Sequence, residues 1–134
     1  MPKLKGSCLC GKVSFEVVNA FDKMFLCSCD QCRQITGSAF ASNLFTAAAG
    51  FNWLNGTDDI IAYKMPGRNI SKSFCQICGS GVPWSSGDGS KMIVPAGALQ
   101  GEPDVAEKFR TFISEQPSWS SNLDKIAAHR GFPS

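Results

Sequence analysis

Seven cysteines stand in this chain in three tight groups: Cys8 with Cys10, then Cys27, Cys29 and Cys32, then Cys75 with Cys78. Gaps of one or two residues between thiols have no packing rationale, but they suit a metal that needs several sulfurs to converge on one ion. Disulfides fit less well. An odd count leaves one thiol over, and Met1-Pro2-Lys3-Leu4-Lys5-Gly6 lacks the apolar stretch of an export signal, so the expected location is cytoplasmic, where thiols stay reduced.

Soft thiolates select zinc, and the cysteine spacings of ferredoxin-type iron–sulfur clusters are missing. The two pairs combine naturally into one closed site of Cys8, Cys10, Cys75 and Cys78, which ties the N-terminal segment to the middle of the chain and contributes to folding itself. Cys27, Cys29 and Cys32 would hold a second zinc whose fourth position stays open, as in sites where a metal does chemistry. His129, the only histidine, lies in a polar C-terminal segment and reads as a surface residue rather than a fourth ligand. The expectation is two zinc ions per chain, one structural and one catalytic. A redox role for Cys75 and Cys78 is disfavoured because it leaves the N-terminal pair without partners.

At 134 residues with 43% hydrophobic and 18% charged, the chain reads as one domain spanning residues 1–134. Ten Phe, three Trp and one Tyr among thirteen Gly and seven Pro suit short strands and turns, so the expected class is mainly β: a compact domain of short antiparallel strands around a structural zinc site. Alternation from residue 13 marks a strand, and further strands are expected near 38–45, 59–65, 70–74, 82–84, 91–94 and 108–113. The spacing also predicts a short helix begun near Cys32 and stopped by Gly37, a hairpin loop over 86–89, and a C-terminal helix over 123–129. Both C-x-C motifs read as extended backbone, in which residues i and i+2 face the same side.

The formal charge of +2 counts every cysteine as neutral; seven thiolates against two divalent cations subtract three charges and leave −1. Lys and Arg are scattered singly, which argues against a nucleic-acid partner, and no run approaches the roughly 20 apolar residues of a membrane span.

Taken in order, Gly6-Ser7-Cys8-Leu9-Cys10-Gly11, Cys27-Ser28-Cys29-Asp30-Gln31-Cys32-Arg33, Thr36-Gly37-Ser38 and Phe74-Cys75-Gln76-Ile77-Cys78-Gly79 resemble the glutathione-dependent formaldehyde-activating enzyme family. The resemblance runs from about Leu4 to the Pro117-Ser118-Trp119 region. It implies the fold of B-type methionine sulfoxide reductases, a structural zinc on the paired cysteines and a catalytic zinc on Cys27, Cys29 and Cys32. It also implies carbon–sulfur lyase activity on a small thiol–aldehyde adduct such as S-(hydroxymethyl)glutathione; the alternative is a non-catalytic zinc module that binds a small thiol or a protein. Arg33 is the candidate for a substrate carboxylate and reads equally as a solvent-facing helix residue. Two positions depart from the family pattern: Ser28 and Arg110 stand where it often has His. Trp53, Trp84 and Trp119 are candidate pocket walls, with core packing the stronger expectation for each.

Overall fold

Alternation from Val13 makes a strand for a plain reason: Val13, Phe15 and Val17 are buried, while Ser14, Glu16 and Val18 keep partial exposure. In the computed structural model, which describes residues 1–133, this strand (β2, Ser14–Val18) is the centre of a three-stranded sheet. Its antiparallel neighbours are β1 (Lys3–Ser7) and β5 (Phe51–Asn55). A five-stranded sheet runs in the order β11 (Val105–Thr111), β3 (Phe21–Cys27), β4 (Ala41–Ala47), β10 (Lys91–Pro95) and β9 (Trp84–Ser85). The third sheet joins β6 (Ile60–Lys64), β7 (Ser71–Cys75) and β8 (Gly81–Val82). Helix α1 (Asp30–Thr36) fills the connection from β3 to β4 and stops at Gly37, whose φ of 67° is left-handed and whose N–H reaches the Arg33 carbonyl at 2.8 Å.

The main core lies between the first two sheets, where Phe15, Val17, Phe21, Leu44, Phe51, Met92 and Val94 pack together. A second cluster is smaller and unusual in composition: Cys8, Cys75, Val13 and Val82, with Trp53, Ile60 and Cys78 against them. It joins the start of β2 to the end of β7. The third sheet contributes little else to bury, since Ile61, Ala62, Tyr63 and Lys64 of β6 are exposed. Its attachment therefore depends on the cysteine cluster.

Several sequence expectations need correction. Cys8-Leu9-Cys10 is a turn, held by Gly11 N–H to the Cys8 carbonyl at 3.1 Å, with Leu9 in solvent, and not an extended segment. β11 pairs parallel with β3, an exception among otherwise antiparallel neighbours. The expected strand at 82–84 splits at Pro83 between two sheets, because proline has no N–H for a ladder. The expected C-terminal helix is a single 3-10 turn, Leu123–Lys125, whose Leu123 and Ile126 find no core to bury against. Strands β1 and β5 went unanticipated. No helix among the described residues is long and apolar enough to cross a membrane.

Candidate metal centres

Each arm of the first site is a turn that ends on cysteine and glycine. Gly11 and Gly79 follow Cys10 and Cys78 with φ of 81° and 78°, values that L side chains rarely adopt. Space is not their constraint, because an added Cβ would meet nothing within 4 Å at either position. These turns aim amide N–H groups at sulfur. Val13 N–H lies 3.3 Å from Cys8 Sγ, Lys12 N–H reaches Cys10 Sγ, and the amides of Cys10 and Ser80 reach Cys78 Sγ. The Ser80 hydroxyl accepts from Leu9 N–H at 3.0 Å and stands 3.2 Å from Cys78 Sγ, so it links the two arms.

The four sulfurs lie within 4.8 Å of one another, with Cys8 to Cys10 at 3.6 Å and Cys10 to Cys75 at 3.8 Å. A tetrahedral zinc with Zn–S near 2.3 Å requires sulfurs about 3.8 Å apart, so the cage has the size such an ion needs. Its electrostatics point the same way. The Ser80 hydroxyl first, then the Cys10 amide, lower Cys78 to about 5. At Cys10 the Lys12 amide lowers the pKa, but burial and the thiols of Cys8, Cys78 and Cys75 outweigh it and lift the group to about 11. Some thiols of the cage ionise readily only at the expense of others, as like charges held a few ångströms apart must.

The second site is built on the end of β3 and the start of α1. Cys27 is the last residue of β3, Cys29 is the N-cap of α1, and Cys32 sits in its first turn, so strand, cap and helix deliver three sulfurs within 4.8 Å. Cys32 N–H caps to Cys29 Sγ at 3.4 Å. At Cys27, burial raises the pKa, but the Thr111 hydroxyl and the Cys29 amide outweigh it and bring the thiol below its ordinary value. Burial, followed by the thiols of Cys27 and Cys29, pushes Cys32 far up. Three thiolates in this cup therefore require a positive partner. Among the described residues no fourth His, Cys, Asp or Glu atom joins the cluster, and His129 is exposed elsewhere.

Arg33 turns back on the cup. Its Nε donates to the Ser28 carbonyl at 3.1 Å and one Nη lies 3.5 Å from Asp30, which clamps the cysteine loop. Two long-range partners were invisible in the sequence. Thr111 at the end of β11 touches Cys27 and its carbonyl receives Ser28 N–H at 3.1 Å, while Glu115 accepts Asp30 N–H at 3.1 Å. Arg110 instead points its guanidinium at Gln116, 3.4 Å away. Trp53 and Trp84 line an open cavity of about 380 Å³ with Lys72 and Tyr63, a cavity that none of the seven cysteines lines, whereas Trp119 is 63% exposed.

A β domain that carries a four-sulfur cage and a separate three-sulfur cup has two cysteine clusters that could each hold a metal ion. The chain belongs to the glutathione-dependent formaldehyde-activating enzyme family, whose model matches residues 3–115. A crystal structure of a Rhodobacter sphaeroides protein superposes with a TM-score of 0.59 at 22% identity, covering 78% of this chain and 99% of the other. At that identity the likeness is one of fold. No protein of curated function matches the chain.

Proposed function

We propose that the chain is a zinc-dependent carbon–sulfur lyase acting on a small thiol–aldehyde adduct such as S-(hydroxymethyl)glutathione. The observation that carries this reading is the cup itself: three convergent sulfurs, no fourth protein ligand among the described residues, and a matching family of enzymes named for activating formaldehyde with glutathione. Zinc bound there would supply a Lewis acid and a site that favours thiolate over thiol at the substrate sulfur. The closed cage would hold its own zinc as a structural element.

The chain's residues set the rest. Thr111 and the Cys29 amide shift Cys27 toward its thiolate, and Arg33 keeps the loop in place through the Ser28 carbonyl. The Arg33 nitrogen not engaged by Ser28 or Asp30 is the candidate for a substrate carboxylate. In the cleavage direction the adduct hydroxyl loses its proton, the carbon–oxygen bond becomes a carbonyl, and the carbon–sulfur pair leaves on sulfur. No imidazole stands in the cup, with Ser28 buried beside it, so that proton passes to solvent.

The test is exchange of carbon-13 formaldehyde with glutathione, followed by NMR. Enzyme-dependent exchange above the spontaneous rate, lost in Cys32→Ser with the fold intact, is the expected result. Spontaneous rates alone at saturating zinc would discard the lyase reading in favour of a zinc module that binds without turnover.

A further inference from the structure

Glutathione and its aldehyde adducts carry a carboxylate on each side of the residue that bears sulfur, so a carboxylate held by Arg33 leaves the other without a partner. The β6–β7 hairpin brings two further cations to the helix that delivers Cys32. Its turn is closed by Met65 N–H to the Ile70 carbonyl at 3.0 Å and by Arg68 N–H to the Met65 carbonyl at 3.3 Å, with Gly67 at a left-handed φ of 73°. From that turn Arg68 reaches Gln31 of α1, one Nη lying 3.4 Å from Oε1. Lys72, on β7, donates from Nζ to the Ile35 carbonyl at 2.8 Å.

Gln31 and Ile35 stand four residues apart, so both contacts fall on one face of α1. Cys32, three residues before Ile35, borders that face, and Arg33 lies about 100° further round the helix. The hairpin cations and Arg33 thus approach Cys32 from opposite sides. An extended tripeptide spans about 10 Å with the sulfur on its middle residue, the scale of one helix with its side chains.

The charges themselves call for an anion. Among the described residues Arg68 and Lys72 make no ion pair, whereas Lys3, Arg33 and Lys91 have Glu16, Asp30 and Asp22. Lys72 is also half-buried, and a lysine drawn partly out of water beside a carbonyl alone keeps a charge that nothing compensates.

We propose that Arg68 and Lys72 form a second arm of the substrate site and take one carboxylate of the peptide thiol, opposite the carboxylate that Arg33 takes. The substrate class is then the aldehyde adduct of a thiol flanked by two carboxylates, with Arg68 and Lys72 as specificity-determining residues. The inference rests on the reading of the cup as a thiol site, though not on turnover.

The experiment uses the cobalt-substituted protein, whose ligand-field bands report a fourth sulfur entering a three-sulfur site. Glutathione, its glycyl ethyl ester and 2-mercaptoethanol are titrated against the parent and each variant. Arg68→Gln, at an exposed turn, should weaken glutathione roughly three- to tenfold and leave 2-mercaptoethanol within about twofold. Lys72→Gln, which retains a donor for the Ile35 carbonyl, should act in the same direction. The ester, with one carboxylate fewer, should bind the parent less tightly than glutathione does, and added salt should weaken glutathione in the parent more than in Arg68→Gln. Lys64 pairs with Ser71, one position along from Lys72, and so projects from the opposite face of the sheet. Lys64→Gln removes the same charge and should move neither thiol by more than about twofold. Equal weakening of glutathione and 2-mercaptoethanol by Arg68→Gln would make the hairpin a support for α1 and overturn the proposal. An ester as tight as glutathione, or a loss of the same size in Lys64→Gln, would overturn it too and leave the thiol site standing. No spectral change with any thiol would sink both.

Discussion

Serine in place of Cys8 and serine in place of Cys29 remove the same atom from the two sites, yet the surroundings make their costs very different. Cys8 is buried in the second core, 3.6 Å from Cys10, and the cage it closes holds a third sheet that has little other apolar burial. Structural zinc contributes on the order of 10–16 kcal/mol in small metal-dependent domains, and losing one of four ligands should forfeit a quarter to a third of that, about 3–5 kcal/mol. For a chain of this length that is a fall in Tm of roughly 10–20 °C. Cys29 caps α1 by accepting Cys32 N–H at 3.4 Å, and serine is among the preferred residues at that position, so the helix keeps its cap. Cys29→Ser should melt within about 3 °C of the parent. Scanning calorimetry with equimolar zinc, paired with elemental analysis of gel-filtered protein, measures both effects. The parent should carry about two zinc ions per chain and Cys29→Ser about one. Equal destabilisation by both substitutions, or unchanged metal content in Cys29→Ser, would refute the division into a closed and an open site.

In the metal-free protein Cys78 should be alkylated half-maximally at a pH of about 5, because Ser80 and the Cys10 amide favour its thiolate, while Cys10, lifted to about 11, should react slowly at neutral pH. Since the folded pKa of Cys78 lies below the ordinary 9.0, its contribution to stability is complete above that value and is lost as pH falls through about 5; brief iodoacetamide labelling read by mass spectrometry across pH 4–9 tests the sign. Gly6→Ala should lower the urea midpoint by the equivalent of about 2–3 kcal/mol, because its Cβ would fall 2.2 Å from the Phe15 ring and 2.8 Å from the Ala98 carbonyl, whereas Gly97→Ala meets nothing and should be neutral.

How much of this was legible beforehand follows from where each interaction is encoded. The three cysteine groups could be read from spacing alone, because turns of one or two residues bring thiols together whatever the rest of the chain does; the joining of the two pairs across 65 residues comes from the four-plus-three count instead. Gly37 as a helix stop could be read for the same local reason. β1 escaped because Lys3-Leu4-Lys5-Gly6-Ser7 offers one apolar side chain; it forms since its backbone pairs with β2 and its Gly6 admits the Phe15 ring. β5 shows the alternation of Phe51 and Trp53, but flanking Gly50, Asn52 and Asn55 give it the composition of a loop. The C-terminal segment shows the opposite error, helix-like spacing with no partner surface to reward it. What surrounds the cup is least legible. Thr111 and Glu115 reach Cys27 and Asp30 across 84 and 85 residues, respectively, and only the parallel pairing of β11 with β3 brings them there. The same pairing stacks Phe109 on Phe25. The sulfurs of the cup are thus written locally in the chain, while the residues that tune and position them are assembled by an edge strand and the turn after it from far downstream. Changes that retune Cys27 should therefore be sought at Thr111 on that strand as well as in the cysteine motif itself.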